Sequence, residues 1–129
     1  MNFPKELHYT KTHEWARRQG KVVSVGITDY AQKEISDVVF VELPKAGTEV
    51  RAGKPICVVE SVKAAFDIYA PVSGRVGRVN SDLETDPAHV NKDCYGSGWF
   101  FELEPSDPKE WDALMTAEAY ENHIRSTVK

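Results

Sequence analysis

The chain reads as an all-β barrel or sandwich with helices added at its ends. Three observations predict this. Short runs rich in β-branched and aromatic residues recur through the first hundred positions, each about a strand long. Turns built on glycine and proline separate them. Beyond Pro105 the apolar period lengthens from two to between three and four, which marks a helical tail at about residues 106–125.

Taken in order, Lys21-Val22-Val23-Ser24-Val25-Gly26-Ile27 alternates strictly and puts Val23, Val25 and Ile27 on one face. Thr28 or Asp29 then caps a short helix through Tyr30, Ala31, Glu34 and Ile35, with capping-box spacing between Asp29 and Gln32. Residues 37–43 form a strand stopped by Pro44. Residues 49–55 hold a short strand and a turn at Gly53, and Ile56 opens another strand. Residues 67–70 are strand-like, residues 71–74 turn, and Val76 and Val79 belong to the next strand. The polar stretch 81–95 reads as loop, and residues 99–104 as a strand ended by Pro105. Ser106 or Asp107 caps a helix with Pro108 in its first turn, where a missing N–H is tolerated. Trp111, Leu114 and Met115 form an apolar stripe for core packing, and Thr116 caps a last helix carrying Tyr120 and Ile124. Gly53-Lys54-Pro55-Ile56 and Gly74-Arg75-Val76 each open a strand after a glycine turn, which suits two similar halves folded about the segment between them.

Size and charge bound the function. At 129 residues the chain is expected to be one domain, 1–129, with enough apolar content (41%) for a core without staples. A net charge of −4 argues against nucleic acid as a partner. Cys57 and Cys94 lack metal-type spacing and read as reduced thiols, with Cys57 inside an apolar strand. There is no secretory pattern, no Arg-rich leader, and no apolar run of the roughly 20 residues a membrane span needs. The expectation is a cytoplasmic bacterial protein, or the mature form of a mitochondrial matrix protein, with a monomer as the default state.

The chain shows little that suits an independent catalyst. It lacks a nucleophile elbow, a Ser-His-Asp pattern and a glycine-rich phosphate loop. His8 and His13, with Glu14 after His13, invite a metal reading, but they lack helical His-Glu-x-x-His spacing. Histidines hydrogen-bonded near strand ends are the preferred reading, so no metal and no enzyme activity are expected. Asp82 and Glu84 lie in the polar stretch and read as solvated.

One residue stands apart. Lys63 sits within Val59-Glu60-Ser61-Val62-Lys63-Ala64-Ala65-Phe66, among small and apolar neighbours. A lysine there either snorkels its amine to water or offers it as an acylation point. Propensity alone leaves the segment ambiguous, since residues 61–65 can start a helix and no Asn-Gly pair signals a hairpin.

Glu60-Ser61-Val62-Lys63-Ala64, followed by Ala70-Pro71-Val72-Ser73-Gly74-Arg75-Val76, resembles the lipoyl-attachment segment of lipoyl carrier proteins. His13-Glu14-Trp15, Gly26-Ile27-Thr28-Asp29-Tyr30-Ala31-Gln32 and Asp37-Val38-Val39-Phe40-Val41-Glu42-Leu43-Pro44 narrow the resemblance to the H-protein family of the glycine cleavage system. Val79-Asn80, Val90-Asn91 and Gly98-Trp99 add to it, and the match runs from about residue 7 to about residue 120.

The resemblance implies a mainly β barrel-sandwich hybrid with the lysine at a hairpin tip. It also implies lipoate held as an amide on Lys63. The implied partners are a pyridoxal-phosphate glycine decarboxylase, an aminomethyltransferase, a flavin dihydrolipoamide dehydrogenase, and the lipoate ligase or octanoyltransferase that installs the group. The carrier passes an aminomethyl group between the first two and is reoxidised by the third. In the family the loaded arm folds back into a cleft. The matching positions are Thr12, Glu14 and Asp67 toward the ammonium, and Ile27, Ile35 and Ala64 along the arm. Ser36, Phe66 and Glu102 depart from the family pattern, standing where glycine, a small residue and a basic residue are usual.

Other readings remain at this point. A lipoate relay to 2-oxoacid dehydrogenases is a role seen in relatives. A biotin carrier would show methionines beside the lysine, where this chain has Val62 and Ala64. A 2-oxoacid dehydrogenase lipoyl domain would lack His13-Glu14-Trp15 and Gly98-Trp99. A metal enzyme would use His8 and His13.

Overall fold

A computed structural model of the chain describes residues 1–127. Strand β1 (His8–Tyr9) pairs with β2 (Glu14–Gln19), and β2 pairs with β3 (Val22–Ile27), both antiparallel. Alternation divides their side chains between two faces. Ala16, Val23, Val25 and Ile27 enter the main core, whereas Trp15 joins a second cluster on the other side. Trp15 lies opposite Gly26 in the register, and a Cβ on Gly26 would stand 2.6 Å from the indole. Glycine is therefore required there by close approach. The indole Nε1 then donates to the Cys94 carbonyl at 2.8 Å.

Thr28 caps α1 (Asp29–Ile35), its hydroxyl accepting from the Ala31 N–H at 3.2 Å. Of the two residues offered as cap by the sequence, Asp29 is instead the first helical residue, and its carboxylate takes the Gln32 amide at 2.8 Å. The helix stops at Ser36, whose φ of 66° and ψ of −154° belong to a region that suits glycine. A serine held there stores on the order of 1–3 kcal/mol of strain.

The remaining strands are β4 (Val38–Glu42), β5 (Glu49–Val50), β6 (Pro55–Ser61), β7 (Ala65–Tyr69) and β8 (Gly74–Val79). They are followed by α2 (Asp82–Thr85), α3 (His89–Lys92) and β9 (Phe101–Pro105). The tail carries α4 (Lys109–Asp112) and α5 (Ala117–Thr127). Residues expected to form a loop at 81–95 thus contain two single-turn helices, which bury Leu83 and Val90. One turn is too short to show a helical period in sequence. The helix expected after Ser106 is also a single turn, begun by Pro108. Trp111 and Leu114 of the expected stripe pack on the main core, while Met115 joins the second cluster. Thr116 does cap α5, accepting from Ala119 N–H at 3.2 Å, and Tyr120 and Ile124 are buried.

The strands form an antiparallel six-stranded sheet, β1-β2-β3-β9-β8-β5, and a three-stranded sheet, β4-β6-β7. Neither closes into a barrel. Their inner faces enclose Val25, Val41, Val59, Ile68, Val76, Phe101 and Leu103. The architecture is mainly β with terminal helices, as the strand pattern and the resemblance imply. The second cluster, Leu7, Tyr9, Trp15, Ala117, Tyr120 and Ile124, fixes α5 to the outer face of the large sheet, with the Tyr9 and Tyr120 rings stacked 4.8 Å apart. Glu102 receives the Arg78 guanidinium in two bonds of 3.0 and 2.8 Å. That pairing gives the acidic residue a local role on the surface, where solvent screens the attraction. Among the described residues no helix is long and apolar enough to cross a membrane.

Gly26→Ala is expected to lower stability by about 1–3 kcal/mol, because the new methyl overlaps a fully buried indole. Denaturant midpoints with tryptophan fluorescence check this. An unchanged midpoint would show that the indole can move aside freely.

Candidate functional site

The β6–β7 hairpin carries Lys63 at its apex, in the four-residue turn 61–64. Ser61 N–H donates to the Ala64 carbonyl at 2.9 Å. The Ser61 hydroxyl accepts from Lys63 N–H at 3.1 Å and from Ala64 N–H at 3.4 Å. That side chain does locally what an Asn-Gly pair does through positive φ, and neither Val62 nor Lys63 has a positive φ. The sequence-level ambiguity between helix and turn is thus resolved by one hydroxyl. Val62 N–H reaches across to the Asp37 carbonyl at 3.0 Å, and Lys63 Nζ donates to the Glu34 carbonyl at 3.0 Å. Glu34 lies in the last turn of α1, where carbonyls lack helical partners and the helix dipole favours a cation. Lys63 and Ala64 are both exposed.

Of the other residues expected at a cleft, Thr12 and Glu14 are joined by a hydrogen bond, whereas Ile27 and Ile35 lie in the core. Glu14 is 1% exposed at the start of β2. One carboxylate oxygen accepts from the Thr10 and Thr12 hydroxyls, each at 2.5 Å, and the other accepts from Tyr69 N–H at 3.1 Å. Tyr69 belongs to β7, which lies at the edge of the small sheet. Glu14 therefore satisfies an outward-facing backbone donor of that edge. Thr12 is exposed and adjoins it. Asp67 sits exposed on the same strand, beside a shallow depression with Glu42, Lys45 and Cys57. Ile27 and Ile35 are buried in the main core, at 3% and 7% exposure. Phe66 packs partly against that core.

His8 and His13 do not converge. The His8 ring lies 4.5 Å from Trp111, whereas His13 Nδ1 is 2.8 Å from the Tyr120 hydroxyl. That hydroxyl also meets Thr28 Oγ1 at 2.7 Å, so His13 helps anchor the start of α1. Burial and the nearby His123 hold the His13 ring below the usual histidine range. Among the described residues no group of three or more His, Cys, Asp or Glu side chains suits a metal ion. Both cysteines are free and buried, and burial pushes each thiol up to about 12.

Two features near the apex were not visible in sequence. A register shift between Val38 and Phe40 leaves Val39 and Phe40 both exposed, and Val62 is 66% exposed beside them. A strict period-two reading of residues 37–43 hides such a shift. Glu34 and Asp37 contribute through their backbone carbonyls, which no side-chain motif reports.

Burial raises the Glu14 carboxyl above its ordinary 4.5, and the bonds from Thr10, Thr12 and Tyr69 only partly oppose this. The folded state therefore binds this proton more tightly than the unfolded chain does. Its stabilising contribution is complete below about 4.5 and is lost as pH rises through the folded value. Relative to Glu14→Gln, the unmodified chain is expected to lose stability as pH rises from there, read from denaturant midpoints. A difference that does not vary with pH would contradict this assignment.

Comparison with known proteins follows the same lines. A family model described as Glycine cleavage H-protein matches residues 7–127. A glycine cleavage system H protein of Thermus thermophilus is 53% identical over 126 residues, covering 98% of each chain. One from Myxococcus xanthus is 53% identical over 119 residues, covering 92% of each. The crystal structure of a glycine cleavage system H protein from Mycobacterium marinum superposes with a TM-score of 0.85 at 36% identity, covering 95% of this chain and 98% of that one. Likeness of this extent, in sequence and in fold, places the chain in the glycine cleavage H-protein family, the lipoyl-carrying component of the glycine cleavage system.

Proposed function

We propose that the chain acts as a single carrier unit that holds a lipoyl group as an amide on Lys63 Nζ and presents it to the enzymes of glycine cleavage. The observation that carries this reading is the exposed lysine on a hydrogen-bonded hairpin apex. The site fits the group. Lys63 Nζ donates to a backbone carbonyl, a bond that an amide N–H can also make. Acylation there removes a charge without stranding a buried counter-ion. When attached, the group supplies the disulfide that accepts and releases the one-carbon cargo, and the chain supplies position. A fixed apex lowers the orientational entropy each enzyme must overcome.

In this reading the lysine meets a lipoate ligase or octanoyltransferase first. It then meets the pyridoxal-phosphate decarboxylase, the aminomethyltransferase and dihydrolipoamide dehydrogenase. Bacterial relatives support a cytoplasmic place of action. The matched family and relatives carry the glycine cleavage name, so the lipoate-relay role is not favoured.

Glu14 supports a further part of the reading. Its donors are two hydroxyls and a backbone amide, so its charge is buried without a cation. A cargo bearing an ammonium supplies the missing countercharge at the β7 edge, where Thr12 adjoins Glu14 and Asp67 lies two residues before Tyr69. Ala64, with Ile27 and Ile35 behind the surface, gives the apolar flank.

Lys63→Arg is expected to fold normally yet gain no mass when incubated with a lipoate ligase, lipoate and ATP. It is also expected to support no glycine decarboxylation. Activity retained by that variant would refute the carrier site. Glu14→Ala is expected to shorten the lifetime of the cargo-loaded protein by roughly tenfold when partner enzymes are absent. An unaltered lifetime would remove Glu14 from the docking face.

A further inference from the structure

The apex of the hairpin has two hydrogen bonds that leave the hairpin. Val62 N–H ends on the Asp37 carbonyl and Lys63 Nζ on the Glu34 carbonyl. The shape of residues 34–37 therefore decides where the lysine is held. That shape is not what the local sequence prefers, because Ser36 is forced into a conformation suited to glycine. Something outside the segment has to impose it.

Asn91, on α3, does so. Its Oδ1 accepts from Val38 N–H at 2.9 Å. Its Nδ2 donates to the Ser36 carbonyl at 2.9 Å and to Gln32 Oε1 at 3.2 Å. All three bonds land on residues 32–38, and two of them bracket Ser36 and Asp37. The carboxamide thus meets this stretch of backbone as a neighbouring strand would, with one acceptor and one donor. Three bonds from one side chain to one segment are more than anchoring a single-turn helix calls for.

We propose that Asn91 is a positioning residue for Lys63. It locks the α1–β4 junction so that the Glu34 and Asp37 carbonyls stand where the hairpin apex needs them. The proposal rests on Lys63 being the attachment point, and it concerns a residue that never touches the acyl group. Without the clamp, the strained junction relaxes and the apex spends only part of its time in the geometry an acylating enzyme recognises. An enzyme then meets a smaller competent fraction, which weakens apparent binding and leaves the chemical step alone.

The test uses the full chain and three variants, Asn91→Ala, Asn91→Asp and Gly26→Ala. The last lowers stability on the far side of the large sheet and serves as a control for stability alone. Two quantities are read: amide hydrogen exchange at Val62, and the KM and kcat for lipoylation by a lipoate ligase. Asn91→Ala is expected to speed Val62 exchange about tenfold, as loss of about one net hydrogen bond would. It is expected to raise KM about tenfold with kcat little changed. Asn91→Asp keeps the acceptor for Val38 N–H but sets a second acceptor oxygen against the Ser36 carbonyl and Gln32 Oε1, so it is expected to lose at least as much as Asn91→Ala. Gly26→Ala is expected to leave both quantities near those of the unmodified chain. If Asn91→Ala behaves like Gly26→Ala in both readouts, Asn91 is merely structural and the proposal falls. If the unmodified chain takes no lipoyl group, the carrier reading fails instead, and Val62 exchange still decides whether Asn91 holds the apex.

Discussion

One backbone hydrogen bond, from Val62 N–H to the Asp37 carbonyl, joins the hairpin apex to the segment between α1 and β4. A two-strand tip projecting on its own frays readily. Here the Ser61 hydroxyl organises the turn from within, and Asp37 holds it from without. The flexible part of the lysine then begins at its own Cα. That division suits a carrier. A long tether gives reach only when its root is fixed, since motion of the root would blur every geometry the tether has to offer.

Much of this fold was legible in the residues, and the reasons are specific. Val23, Val25 and Ile27 alternate over enough positions to declare a face, and the structure buries all three. Thr28 and Thr116 sit at helix starts and act as caps through their hydroxyls. The helices near Leu83 and Val90 were illegible because each buries one apolar residue in one turn. The outward pair Val39 and Phe40 was illegible because a register shift interrupts the alternation. The hairpin apex was illegible to propensity, since its organiser is a serine hydroxyl acting over two residues. Only the resemblance placed Lys63 at a tip. The same resemblance puts Ile27 and Ile35 along the arm, and the structure buries both; only Ile27 had an alternation in the sequence that suited a core.

Glu14 shows how one side chain can serve local structure and remain chemically open. It satisfies a donor on the edge of the small sheet, at the end of β7 farthest from the apex. It does so as a buried anion whose partners are all neutral, an arrangement that raises its proton affinity and invites a cation. Hydroxyls from Thr10 and Thr12 are enough to hold the charge, yet neither neutralises it.

The two buried thiols bear on the redox chemistry of the group this family carries. A cyclic disulfide on a mobile tether is open to attack by any nearby thiolate, which would trap it as a mixed disulfide. Cys57 and Cys94 are withdrawn from the surface, and with acidities near 12 they present almost no thiolate at neutral pH. A scaffold with its thiols withdrawn in this way does not compete for the disulfide of such a group.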